Sequence, residues 1–179
     1  MEYLKQANLE GYARYETQMR RKDDTLVDVQ MDLVGVKDSQ GQLQYRVATM
    51  QDISQRKQHE ATLQLQSSAL ASAANAIMIT DQAGIIEWIN PAFTELTGYQ
   101  YEEAIGHAPH ELLKSGLQSQ QFYSEIWQTI LSGKVWRGEI INRRKDGTLF
   151  TEEQIITPVL DDHHIIRHFI AIKQDISTR

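Results

Sequence analysis

The sequence predicts an α+β protein whose main domain is a five-stranded antiparallel sheet with short helices on one face. Three observations lead to this prediction. Strand-like and short helical segments follow one another in the second half of the chain, a segment of 35 residues occurs twice, and a segment without Gly or Pro, residues 54–74, follows the first copy. A chain of 179 residues can hold one medium-sized domain and a fragment of another.

The repeat begins at the similar segments RRKDDTL and RRKDGTL and ends, in both copies, at QDIS. Residues 20–54 align with residues 143–177 without a gap, and 13 of the 35 aligned positions are identical. The offset of 123 residues is too long for a solenoid repeat and indicates a duplicated domain. In each copy, segments with strand preference are separated by polar turns, so we expect three successive antiparallel strands.

Only the second copy is preceded by a front half. Residues 75–81 are typical of a short apolar strand, and residues 83–91 of its hairpin partner, with Gly84 near the turn. Pro91 is suited to the first turn of a short helix and Gly98 to its end.

A longer amphipathic helix is predicted over residues 119–133, with Ser119 as its cap and Gly133 at its end. Its apolar residues recur at helical spacing. They are Phe122, Ile126, Ile130 and Leu131. Three strands follow in sequence, over residues 136–142, 149–160 and 165–175, and they complete the predicted sheet.

The chain is therefore expected to have three parts. Residues 1–55 correspond to the trailing half of a domain, residues 56–74 to a connecting helix, and residues 75–179 to a complete domain. Leu63, Leu70 and Ile77 are seven residues apart. The connecting helix is either a plain linker or a short coiled-coil seam that forms a homodimer.

The composition excludes several classes of function. A formal charge of −6 and a pI near 5.5 argue against nucleic-acid binding, which needs a basic face. No apolar run approaches the ~20 residues of a membrane span, and no signal peptide is present, so we expect a cytoplasmic chain without membrane contact. The absence of cysteine excludes disulfides, thiolate metal sites and cysteinyl adducts to a cofactor.

Three segments, in this order, resemble a PAS domain of the S-box type: ITDQAGIIEWINPAFTELTGYQYEEAIG, WRGEIINRRKDGTL and FIAIKQDIS. The resemblance covers residues 71–177, and residues 12–54 resemble the trailing half of a second PAS domain. It implies a sensory or interaction module ahead of a histidine kinase, a cyclic-di-GMP enzyme or a chemoreceptor. The sequence has no glycine-rich nucleotide loop, phosphorylatable His box or Gly-Gly-Asp-Glu-Phe motif, so we expect no enzymatic activity from the chain itself.

Residues 112–147 are similar to the redox-sensing FAD–PAS domains of nitrogen-fixation, methane-oxidation and aerotaxis regulators. In that subfamily a helix Trp and a strand Asn, fifteen residues apart, contact the flavin, and Trp127 and Asn142 match them in motif and spacing. An indole provides a flat apolar wall, and an amide can both donate to and accept from the ring edge. The resemblance thus implies a non-covalent FAD that senses redox state or oxygen. Asn90, Phe93 and His110 are further candidates for the cofactor site.

Other functions remain open. Where the flavin relatives carry Asn-Glu/Gln-Ser, this chain has residues 108–111, in which His110 or Glu111 could substitute. Trp127 could also be a core residue and Asn142 a turn residue, in a cofactor-free domain that dimerises, docks a partner or binds a small metabolite. Haem is disfavoured because His107 and His110 fall outside the long helix. The histidines near the last hairpin are interpreted as part of a solvated turn. They are His163, His164 and His168.

The end of the last strand is the expected exit for a signal. Gln174 and Asp175 precede the point where PAS domains join an output helix, and Asp52 holds the same place in the first copy. We expect a change in the pocket to alter hydrogen bonds on the sheet and to be transmitted at these residues.

Overall fold

The computed structural model describes residues 9–177, which divide into two compact units, one ending at Gln66 and the other beginning at Ser67. This boundary falls inside the predicted connecting helix. Residues 1–8 of the predicted first domain and residues 178–179 of the second lie outside the described residues. Within residues 9–177, no helix is long and apolar enough to cross a membrane.

The first unit contains a three-stranded antiparallel sheet in the order β1-β2-β3. Its strands are β1 (Tyr12–Arg20), β2 (Leu26–Lys37) and β3 (Leu43–Asp52). The predicted three-stranded copy is confirmed. Its charged turn is fastened by Asp23, whose carboxylate accepts hydrogen bonds from the backbone and the hydroxyl of Thr25.

Helix α1 (Ser54–Ala71) follows β3 directly. Every residue of α1 is at least partly exposed, and its leucines Leu63 and Leu70 are 65% and 42% exposed. The predicted seven-residue pattern is wrong at its third position, because the helix ends at Ala71 and Ile77 is buried in the next strand. A coiled-coil contact along α1 could therefore involve Leu63 and Leu70 but not Ile77.

The second unit is a five-stranded antiparallel sheet in the order β5-β4-β8-β7-β6, so the predicted fold is confirmed. The strands are β4 (Ala76–Asp81), β5 (Ile86–Ile89), β6 (Trp136–Arg143), β7 (Leu149–Leu160) and β8 (Ile166–Asp175). The helices between β5 and β6 are α2 (Pro91–Thr97), α3 (Tyr101–Ala104), α4 (Pro109–Leu113) and α5 (Gln120–Leu131).

Local sequence explains where these helices begin and end. Asn90 caps α2 by accepting a hydrogen bond from the backbone of Phe93, and Gly98 ends the helix at φ 80°. Ser119 caps α5 in the same way through the backbone of Phe122. The amphipathic pattern of α5 buries Ile126 and Ile130.

The core of the second unit lies between the sheet and the helices in two clusters. One joins β4 and β5 to α2 and α4 and includes the fully buried Phe93. The other joins α5 to β6 and β8 through Ile126, Ile140 and Phe169. A cavity is left where the two clusters meet.

Candidate functional site

The cavity of the second unit lies between α4 and α5 on one side and the sheet on the other. It contains about 760 Å³ of empty space, its open mouth included. Its apolar lining comes from both layers and consists of Met78, Pro109, Leu113, Ile126, Trp127, Ile130, Ile140, Ile156, Phe169 and Ala171. A cavity of this kind, apolar with a few polar groups, is typical of small-molecule sites.

Trp127 forms one wall of the cavity and is 39% exposed. Its ring meets Phe169 edge to face, with the centroids 5.9 Å apart. On its other side it lies over Gly84 in the β4–β5 turn, where a Cβ atom would come within 2.7 Å of the indole. Glycine at this turn therefore leaves the space that the indole occupies.

The floor of the cavity is polar and is formed by the three neighbouring strands β6, β7 and β8. Asn142 on β6, Gln154 on β7 and Lys173 on β8 all line the cavity, and their exposed fractions are only 6%, 5% and 2%. Buried polar side chains normally have hydrogen-bond partners. The side-chain amide of Gln154 has none among the residues that the structure describes.

Glu152 lies beside these residues and is fully buried. Its Oε1 accepts a hydrogen bond of 2.9 Å from Asn142 Nδ2 and pairs with Lys173 Nζ at 2.6 Å. Its Oε2 has no partner, and among the described residues it is the one side-chain oxygen or nitrogen that is both closed off from solvent and without a hydrogen bond. The floor is thus a charged cluster with one unsatisfied acceptor.

No sequence motif had pointed to Glu152, Gln154 or Lys173. The alternation of side chains along a strand could have indicated two of them. Every second residue from Phe150 to Ile156 lies on one face of β7, and two of these residues are polar. The pairing itself was not visible, because Glu152 and Lys173 meet diagonally across two strands whose register places Lys173 opposite Gln154.

At the rim of the cavity, α4 contributes His110, as the sequence analysis proposed. Its neighbour Glu111 is turned away, because it accepts hydrogen bonds from His107 at 3.1 Å and from the backbone of Ala108, and these hold the pKa of Glu111 below its usual value. On α5, burial raises the pKa of Tyr123. Trp127, Asn142 and His110 therefore meet at one cavity.

Asn90 and Phe93 do not reach this cavity, which corrects their placement in the cofactor site. Phe93 is fully buried in the other core cluster. Asn90 is 1% exposed and entirely engaged with backbone. Its Oδ1 accepts from the amides of Ile77 and Phe93, and its Nδ2 donates to the carbonyls of three residues that lead into β4. Neither residue is among those that line the cavity.

Asp175, at the end of β8, accepts hydrogen bonds from Arg144 Nη2 at 2.7 Å and from the backbone amide of Ser177 at 2.9 Å. Burial raises the pKa of Asp175, but the hydrogen bonds from Ser177 and Arg144 outweigh it and hold that pKa below its usual value. Arg144 also donates to the carbonyl of Leu96 and lies 4.4 Å from the ring centre of Phe150. Asp175 thus connects the end of the sheet to the turn after β6.

The first unit repeats this arrangement. Asp52 pairs with Arg21 at 2.7 Å and accepts from the backbone of Ser54 at 2.9 Å. Gln174, the third residue proposed for signal transmission, is exposed on β8 and pairs with Glu153 across the sheet.

The histidines near the last hairpin are separated by the turn. His163 and His164 lie in it, and Asp161 fastens it by accepting from the backbone amides of His163 and Ile165. His168 lies on β8 and contacts Glu87 at 3.2 Å. Among residues 9–177, no group of three or more potential metal ligands is close enough to hold an ion.

A family model described as PAS domain matches residues 5–55 and 74–178. The chain is 40% identical to the nitrogen fixation regulatory protein of Klebsiella oxytoca over 105 residues, which are 59% of this chain and 21% of that protein. It is 32% identical to a blue-light photoreceptor of Listeria monocytogenes over 113 residues, 62% of this chain and 44% of that protein. The chain thus spans about a fifth of the first relative and less than half of the second.

Solved structures show the same fold. The crystal structure of the PAS domain of a protein from Colwellia psychrerythraea matches with a TM-score of 0.61 and 27% identity, covering 66% of this chain and 99% of that one. The LOV domain of a blue-light activated histidine kinase from Erythrobacter litoralis matches with a TM-score of 0.55 and 21% identity, covering 59% and 99%. The relatives are signalling proteins, which agrees with a sensory module of a larger protein.

Proposed function

Because the chain belongs to the PAS domain family, we propose that its second unit is a redox or oxygen sensor that holds a non-covalent FAD in the cavity. The observation that carries the proposal is the combination of a flat aromatic wall at Trp127 with a floor of buried amide groups. A flavin has a flat, largely apolar ring system with one edge of hydrogen-bond donors and acceptors, and the residues present fit both parts. Bound flavin supplies the one- and two-electron chemistry.

The residues of the chain have separate roles in this proposal. Trp127 and Ile126 hold the ring by apolar contact, and Asn142 and Gln154 bind its polar edge. His110 closes the rim where α4 meets the cavity. The relatives named as nitrogen fixation regulatory protein and blue-light photoreceptor support a sensory role, and the chain's lack of cysteine excludes a cysteinyl flavin adduct.

Further proposals concern the protein of which this module forms part. We propose that the signal passes from β8 to a histidine kinase or cyclic-di-GMP effector domain, and that a homodimer forms through the exposed face of α1. The chain itself acts as a non-catalytic regulatory module, as PAS domains generally do.

The freshly purified protein is expected to show the two absorption bands of oxidised flavin, which bleach with dithionite and return in air. Heat denaturation should release FAD into the supernatant, where chromatography distinguishes it from FMN and riboflavin. A spectrum without bands above the aromatic region, even after incubation with FAD, would contradict the proposal. It would favour a cofactor-free domain that acts by dimerisation or binds a colourless metabolite.

An Asp175→Ala variant is expected to keep its cofactor and to loosen the end of β8. The backbone amide of Ser177 loses its acceptor, so its hydrogen exchange should rise by about fivefold, the equivalent of one hydrogen bond. Hydrogen exchange with mass spectrometry measures this, and absorbance measures the cofactor content. Asp175→Asn is the matched control, since it retains an acceptor for Ser177 and weakens only the contact with Arg144. Loss of cofactor in Asp175→Ala would show that Asp175 belongs to the binding site instead.

A further inference from the structure

The polar floor of the cavity is not required by the fold, as the repeat within the chain shows. At an offset of 123 residues, the positions of Asn142, Glu152, Gln154 and Lys173 correspond to the apolar residues Met19, Val29, Met31 and Met50. The strand register is the same in both copies, since Met31 pairs with Met50 as Gln154 pairs with Lys173. The same three-stranded arrangement therefore forms without any of the four polar side chains.

Stability does not account for the polar floor either. Burying an ion pair costs solvation that the mutual attraction repays only with good geometry and further hydrogen bonds. Here Glu152 and Lys173 are 0% and 2% exposed in their side chains, and Glu152 Oε2 has no partner among the described residues. An unsatisfied buried acceptor is a further cost.

The hydrogen bonds of Glu152 determine what the floor can offer. A carboxylate only accepts hydrogen bonds, so the amide of Asn142 must direct Nδ2 toward it. The oxygen Oδ1 of Asn142 then remains as an acceptor without a partner in the described part of the chain. Lys173 Nζ donates one of its three N–H groups to Glu152, and the other two remain available as donors. The floor thus combines an oriented acceptor, an oriented donor and the amide of Gln154.

We propose that Glu152 and Lys173 determine the ligand specificity of the cavity, by holding Asn142 as an acceptor beside a donating ammonium group. The complementary ligand is a flat neutral ring whose buried edge places an N–H beside a carbonyl oxygen, as in a cyclic imide. The ring is neutral because the charges of Glu152 and Lys173 cancel, and a charged ligand would leave one buried charge uncompensated. The inference deepens the proposed function, since the pyrimidinedione edge of a flavin is such an imide.

The experiment compares riboflavin with 3-methylriboflavin, in which a methyl group replaces the imide hydrogen. The affinity of the wild-type chain, purified without cofactor, is measured by quenching of flavin fluorescence. The methylated ring leaves Asn142 Oδ1 without a donor, so it is expected to bind more weakly by about 5- to 150-fold. The same comparison is made with a non-flavin imide, the pteridinedione lumazine, and its 3-methyl derivative.

Variants test the role of Glu152 directly. The amide in Glu152→Gln can donate as well as accept, so Asn142 can turn its oxygen inward, and the preference for the imide hydrogen should fall to about twofold or less. Glu153→Gln is the matched control, because Glu153 lies on the opposite face of β7 and should leave the preference unchanged. The double variant Glu152→Gln/Lys173→Met carries no buried charge and is expected to lose the preference in the same way, so the test does not depend on the folding of the single variant.

The outcomes separate the inference from the proposed function. If riboflavin and FAD fail to bind but lumazine binds and its 3-methyl derivative does not, the flavin proposal fails and the specificity inference holds. If both riboflavins bind the wild type equally, or if Glu152→Gln and the double variant keep the preference, the inference is overturned while the flavin proposal stands. If no imide of either kind binds, both are overturned.

Discussion

A Lys173→Met substitution is expected to lower the free energy of unfolding of the second unit by about 3–5 kcal/mol. The substitution leaves the carboxylate of Glu152 fully buried without its cation, while the length and volume of the side chain are nearly preserved. Urea denaturation followed by tryptophan fluorescence measures the effect. All three tryptophans of the chain, Trp88, Trp127 and Trp136, lie in the second unit, so this signal does not report on the first.

The chain provides a matched control for this prediction. Lys145 pairs with Glu103 at 2.5 Å, but both side chains are more than 40% exposed. Lys145→Met should therefore change stability by no more than about 1 kcal/mol. Removing both charges of the buried pair in Glu152→Met/Lys173→Met should recover most of the stability lost in Lys173→Met. A cost for Lys173→Met no larger than that for Lys145→Met would mean that water reaches the pair in solution.

The strands and the long helix could be predicted from the sequence because each is determined locally. Turn residues such as Asp146 and Gly147 mark the hairpins, and the repeat predicted that both copies would have the same strands. The structure confirms β7 at its predicted bounds and the others within a few residues. The strand order, by contrast, pairs β4 with β8 across most of the domain, and it was not predicted, because long-range pairing leaves no local signal in the sequence.

The candidate site was predicted only in part, for a physical reason. Trp127 and Asn142 were found through a family motif, but Glu152 and Lys173 belong to no motif and are charged. Charged residues on a strand are ordinarily interpreted as solvent-facing, since they are rarely buried without a partner. Only the strand register reveals that the two residues are partners and that both face the helices.

Asn90 shows the opposite error. Asn90 was expected in the cofactor site, but a buried amide can bind backbone as readily as a ligand. In the structure the backbone takes all of its hydrogen-bonding capacity. Such a residue fixes the start of the domain, where the chain passes from α1 into β4.

An Asn90→Ala substitution is accordingly expected to lower the free energy of unfolding of the second unit by about 2–4 kcal/mol. It removes the N-cap of α2 and leaves the amide of Ile77 and the carbonyl of Asn75 without their buried partner. Ser119→Ala is the control, because Ser119 is also an N-cap but makes a single exposed hydrogen bond of 3.2 Å, worth about 1 kcal/mol. Urea denaturation followed by tryptophan fluorescence compares the two variants.

Hydrogen exchange distinguishes a positioning role for Asn90 from a place in the cavity. If Asn90 fastens the entry to β4, Asn90→Ala should accelerate the exchange of the amide of Ile77, which loses its acceptor, and to a smaller extent that of Phe93, which keeps the backbone carbonyl of residue 90. The amides of β6 and β7, which form the floor of the cavity, should keep their wild-type rates, because no hydrogen bond joins them to Asn90. Faster exchange throughout β6 and β7, at a denaturant concentration where the variant remains folded, would mean that the entry to β4 and the floor of the cavity open together. The segment entering β4 would then be coupled to the ligand site, and a signal could leave the domain at its beginning as well as at Asp175.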